Sequence, residues 1–131
     1  MSIAALDPAA ELMTPLMTGA TTQPFAVTIT EDFGEARAIW EALAAEGHTT
    51  PYQQFRFCEA FFRHVEAGEG ASAVLISVHD ASETPIMLLP LSIRRVGPVR
   101  IARFIGGEHA NFSMPVCGHR AAALRAGDIR A

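Results

Sequence analysis

From Phe25 to Thr30 the chain alternates, FAVTIT, in β-favouring residues, so a first strand is expected there. The period then lengthens. Phe33, Ala36, Trp40 and Leu43 recur at spacings of three and four, which lays one apolar stripe along a helix. Thr30 can cap that helix, Glu31 and Asp32 suit the positive end of its dipole, and Gly47 ends it. A second helix is expected from about Gln53 to Ala67. Its stripe is Phe55, Cys58, Phe62 and Val65, widened by Phe57 and Phe61, and it reads as core. Glu59 and Arg63 stand four apart on its outer surface, a pairing worth ~0.2–0.5 kcal/mol.

After Gly68-Glu69-Gly70 the period falls to two. Ser72 to His79 sets Val74, Ile76 and Val78 on one face of a strand and Leu75 on the other. A turn from Asp80 to Thr84 leads into a strand from Pro85 to Arg95. That strand is apolar on both faces through Leu89 and should lie inside the sheet. Pro90 in its middle cannot donate a ladder hydrogen bond, which predicts a bulge or a splay. A tight turn at Val96-Gly97-Pro98 joins it to a fourth strand, Val99 to Ile105. Gly106-Gly107 follows, then a polar loop, Glu108-His109-Ala110-Asn111, in apolar surroundings, and a helical tail from about His119. Residues 1–24 read as a disordered leader, perched before one unit over 25–131. The expected order is β-α-α-β-β-β-α, an α+β fold with a mainly antiparallel sheet.

Composition narrows the function classes. At 131 residues the chain is one domain or part of one. Apolar residues make up 50% and charged ones 18%, a globular balance rather than a disordered one. The net charge of −4 is uneven: residues 1–93 hold three Arg against twelve acidic residues, whereas 94–131 hold seven Arg against Glu108 and Asp128. Such asymmetry marks either an anion-binding end or Arg residues that pair with the acidic helices of the same fold. A pI near 5.7 argues against nucleic acid as a partner. Cys58 and Cys117 are too few for a disulfide framework. Cys117-Gly118-His119 has no second ligand pair, so no metal site is expected. Asp7 and Glu11 interrupt any secretory signal. The uncharged run 12–30 contains Pro15, Gly19, Pro24 and six Thr, which is not a membrane span, and a cytoplasmic location is expected.

Chemistry is concentrated near the glycine pair. Loops at strand ends are where ligands are met, and Glu108, His109 and Asn111 emerge together there. His109 and Glu108 are the grouped candidates for proton transfer. The alternative is that His109 and Asn111 hydrogen-bond loop backbone and shape the turn. Arg94 and Arg95 are candidate anion contacts, one on each sheet face because strand side chains alternate. His48, His64 and His79 fall at surface or helix-end positions.

The element order resembles the first half of the GNAT N-acyltransferase fold. More narrowly, the chain resembles the CelD/BcsL-like acetyltransferases of cellulose and exopolysaccharide biosynthesis. The residues that carry the likeness, over roughly Phe25 to Gly118, are the Trp40 helix, the aromatic helix after Pro51-Tyr52, and Leu89-Pro90-Leu91 with its following Arg pair. To these is added Phe104-Ile105-Gly106-Gly107 leading into His109-Ala110-Asn111-Phe112-Ser113-Met114-Pro115. The resemblance implies acyl transfer from acyl-CoA to an amine, with a small-molecule acceptor. It implies two GNAT-like halves, the second of which binds acetyl-CoA. This chain corresponds to the first half, truncated before the second, and the missing half, or self-association through an open sheet edge, would supply its partner. Arg103, Gly106 and Gly107 match a degenerate form of the GNAT pyrophosphate cradle, but Glu108 sets a carboxylate where a diphosphate would approach. The chain alone is therefore expected to be inactive and to bind no cofactor. The other reading is a non-catalytic GNAT-like binding or interaction module.

Overall fold

The computed structural model describes residues 25–111 and 113–124. Five strands and two helices form an α+β fold with an antiparallel sheet. The strands are β1 (Ala26–Thr30), β2 (Ser72–His79), β3 (Pro85–Val96), β4 (Val99–Phe104) and β5 (Val116–Cys117). The helices are α1 (Phe33–Glu46) and α2 (Phe55–Phe61). The sheet order is β1-β2-β3-β4, with β5 also pairing β3. β3 is interior, as its two apolar faces predict.

Helix α1 starts two residues later than expected. Asp32 is its N-cap and accepts from the Gly34 N–H at 2.7 Å, while Thr30 Oγ1 accepts from the Asp32 N–H. A carboxylate at the cap both satisfies an orphan donor and meets the dipole, so it outcompetes Thr30. The apolar stripe Phe33, Ala36, Trp40 and Leu43 is buried throughout. Trp40 is fully buried, stacked on Phe33 and edge-on to Phe55, with its indole N–H donating to the Gln53 carbonyl at 2.8 Å.

Helix α2 departs further from expectation. It is preceded by a 3-10 turn (Pro51–Gln53) and continues as a π-helical turn (Phe62–Glu66) and a 3-10 turn (Ala67–Glu69), closed by Gly70 in the left-handed region. Phe55 and Cys58 are buried as predicted, and Arg63 pairs with Glu59 at 3.2 Å. The final stripe position is different. Val65 is exposed, and Glu66, at 2% exposure, points inward in its place. The wider π turn takes more residues per revolution, so the inward position moves on from Val65 to Glu66.

The helices pack on one sheet face, where Ala73, Leu75, Ile86 and Leu88 are buried with Val116 and Ile105. Val74, Ile76 and Val78 lie on the opposite face, as the alternation predicts. Opposite Pro90 stands Leu75, so the proline keeps its place in the ladder with β2, and the bulge lies at Val78/His79 instead. The splay falls where Pro90 predicts. β4 pairs β3 over Leu91–Val96 and β5 pairs it at Met87 and Leu88. Between them the Pro90 carbonyl takes the Ile105 N–H at 3.0 Å, and the chain leaves the sheet as a loop. The β3–β4 hairpin turns on Gly97, whose φ of 60° occupies the first of two loop positions, with Pro98 at the second. After β5, His119–Ala123 is a 3-10 turn rather than the start of a regular helix, and the remaining tail and the leader 1–24 lie outside the described residues. None of the described helices is long and apolar enough to cross a membrane.

Candidate functional site

The splay places the loop over the end of α2. Gly106 and Gly107 adopt φ of 105° and 47°, a region that favours glycine. A Cβ on Gly106 would come within 2.8 Å of the Ala110 Cβ, so this position excludes other residues on two counts. Gly107 lets the Arg103 guanidinium lie against its backbone. Gly107–His109 then forms a 3-10 turn in which the His109 N–H donates to the Gly106 carbonyl at 2.9 Å.

Beneath this loop is a cavity of about 230 Å³, bounded by the end of α2, β3, β4 and the loop. Its charged lining is Glu66 and Glu69 from the α2 end, Arg94 from β3, Arg103 from β4, and Glu108 with His109 from the loop. Six of the residues singled out in the sequence, Arg94, Arg103, Gly106, Gly107, Glu108 and His109, therefore meet at one cavity. Arg94 donates to Glu69 at 3.0 Å. The His109 ring lies tilted on Phe61, with centroids 5.6 Å apart.

Two candidates are placed elsewhere. Arg95 sits opposite Arg100 and one residue out of phase with Arg94, so it belongs to the sheet face away from the cavity. Asn111 donates to the Tyr52 hydroxyl at 3.2 Å and helps anchor the loop to the start of α2. The second anchor is Gln53, whose side-chain N–H donates to the Pro115 carbonyl at 2.9 Å while its Oε1 accepts from the Thr50 N–H.

Glu66 is the residue that pattern reading passed over. Both carboxyl oxygens are buried without a hydrogen-bond partner. Burial pushes its pKa above the ordinary carboxylate range. The Ser92 hydroxyl, Arg103 and the Gly106 amide lie near enough to temper that shift, without closing a hydrogen bond of good geometry. Helical spacing from Phe62 allows either Val65 or Glu66 at the inward position; the apolar residue is the natural choice, and the π turn gives the place to Glu66. Its neighbour Cys58 is driven up to about 12 by burial and by the Glu66 charge, which leaves that thiol protonated.

The loop does not suit a diphosphate. A pyrophosphate cradle presents backbone N–H groups at a helix N-terminus, and here the glycines open only a three-residue 3-10 turn. Glu66 lies beneath the Gly106 amide and Glu108 follows the pair, so an approaching diphosphate would meet two carboxyl groups. Comparison with family models, curated proteins and solved structures gives no match to this chain.

Proposed function

We propose that the chain is the acceptor-binding half of a GNAT-type acyltransferase that moves an acyl group from acyl-CoA to an amine in exopolysaccharide or cellulose biosynthesis. One observation carries the reading: a carboxyl at 2% exposure with a raised pKa, facing a polar cavity beneath a loop held by two glycines. An amine becomes a nucleophile only after its ammonium loses a proton. A carboxylate whose pKa is raised toward neutrality is the better base for that step. Ionised Glu66 takes the proton on a carboxyl oxygen and becomes the neutral acid that its burial favours. The order of strands and helices from β1 to β4 supports the likeness to a first GNAT half. Since the glycine loop does not fit a diphosphate, the acyl donor belongs to a second half.

That misfit also favours the second reading, a non-catalytic GNAT-like module. Purified chain mixed with acetyl-CoA and a panel of amines separates the two. The acceptor reading expects amine binding without release of free CoA by the chain alone. In a longer protein that carries these residues, Glu66→Gln is expected to lower kcat at least ~100-fold, the usual scale for a lost general base. His109→Ala is expected to raise KM more than it lowers kcat. Turnover by this chain alone, lost on Gly106→Val, would contradict the division of labour. Unchanged kinetics in Glu66→Gln would leave the module.

A further inference from the structure

Glu66 and Arg103 line the same cavity, carry opposite charges, and are not ion-paired with each other or with any described residue. Of the other charges there, Arg94 and Glu69 neutralise each other at 3.0 Å, and Glu108 and His109 stand exposed on the rim. A buried carboxylate without a partner is costly to keep. The Arg103 guanidinium lies along the Gly107 backbone, at a glycine whose missing Cβ gives it room. The lining of the cavity thus includes a buried carboxyl and a cation with no ion pair between them among the described residues.

We propose that this cavity binds a compact primary amine that also bears an anionic group, with the ammonium against Glu66 and the carboxylate or phosphate on Arg103. The inference rests on the acceptor reading above and gives that acceptor its chemical class. Size agrees, since about 230 Å³ is below the ~300–1,000 Å³ of pockets for drug-sized ligands. Charge agrees as well: an amine alone would leave Arg103 unmatched, and an anion alone would be brought beside Glu66. A guanidinium suits carboxylate and phosphate equally, so Glu66 selects the amine and Arg103 accepts either anion.

Calorimetric titration of the 131-residue chain at neutral pH, with no acyl donor present, tests this. Two bifunctional probes, 4-aminobutanoate and glucosamine 6-phosphate, are each compared with amine-only partners (butylamine, glucosamine) and anion-only partners (butanoate, glucose 6-phosphate). At least one bifunctional probe is expected to bind about tenfold or more tightly than both of its partners. Which one does so tells carboxylate from phosphate. Glu66→Gln should erase the advantage over the anion-only partner, and Arg103→Gln the advantage over the amine-only partner. Arg103 is only half-buried, so its variant serves even if the Glu66 variant folds poorly. Binding of no probe at millimolar concentration, equal binding of bifunctional and single-charge probes, or an undiminished advantage in folded Glu66→Gln would each overturn the proposal. Because no donor is present, a chain that binds the bifunctional probe but supports no acyl transfer in a longer protein removes the acyltransferase reading and leaves this one standing.

Discussion

Glu66 is held against its own solvation. Its pKa is raised in the fold, so the folded chain binds that proton more tightly than the unfolded chain does. Stability from this group is therefore complete below the ordinary glutamate value and is lost as pH rises through the raised one. Glu66→Gln removes the charge and should stabilise the fold at neutral pH by about 1 kcal/mol, a rise in melting temperature of ~4–8 °C, and the gain should vanish near pH ~4. Thermal unfolding of both proteins across that range checks it; a variant less stable at neutral pH would show that the carboxylate is satisfied by contacts of its own. The neighbouring thiol gives a second expectation. With its pKa near 12 and its side chain fully buried, Cys58 should resist alkylation by iodoacetamide until the protein unfolds. Rapid labelling of Cys58 in the native state would mean that the α2 end opens.

At the scale of elements, most of the fold was legible. Strand alternation and helical spacing located β1 to β4 and α1 because each element buries one face, and burial writes its period into the sequence. The reading failed where backbone geometry changes without a change in composition. The π turn at Phe62–Glu66 leaves the apolar residues in place yet moves the inward position by one, so Val65 was assigned to the core and Glu66 was not. Likewise β5 is two residues long, too short for alternation to register, and it depends on β3 for its pairing. The candidate site was half-legible: the glycine pair, His109 and Arg103 stood out as residue types, whereas the carboxyl beneath them came from a distant helix.

The Asp80–Thr84 turn shows local chemistry at work. Asp80 accepts from the Ser82 and Thr84 N–H groups and from Arg120, and the Thr84 N–H first among these holds its carboxyl below the usual aspartate range. That stabilisation is present above the ordinary aspartate pKa and fades as pH falls through the lowered one. Asp80→Asn should therefore loosen the β2–β3 turn at neutral pH, read as faster amide exchange at Ser82 and Thr84, with the difference from wild type disappearing in acid. Equal exchange at neutral pH would show that the turn is held by its backbone alone.

Across the whole molecule, the uneven charge of the chain is partly cancelled by folding. Arg94 pairs with Glu69 and Arg120 with Asp80, joining the basic final third to the acidic part before it. The sheet carries a second consequence. Among the described residues β4 pairs only with β3, and its Val99 and Ile101 are 55% and 45% exposed beside Val96. An exposed apolar edge of this kind templates pairing with another strand. The chain is expected to self-associate at tens of micromolar, and Ile101→Lys should shift it toward monomer; light scattering that shows wild type as a clean monomer would contradict this.

The central claim is that Glu66 is kept ionisable and unpartnered so that a ligand ammonium can meet it. The most direct measurement is a carbon-13 NMR titration of the Glu66 carboxyl, in the free chain and with whichever bifunctional amine binds. The account predicts a pKa above the ordinary glutamate range in the free chain and a lower one with the amine bound, since an adjacent cation favours the carboxylate. A Glu66 that titrates in the ordinary range, or whose pKa is unmoved by the bound amine, would contradict it.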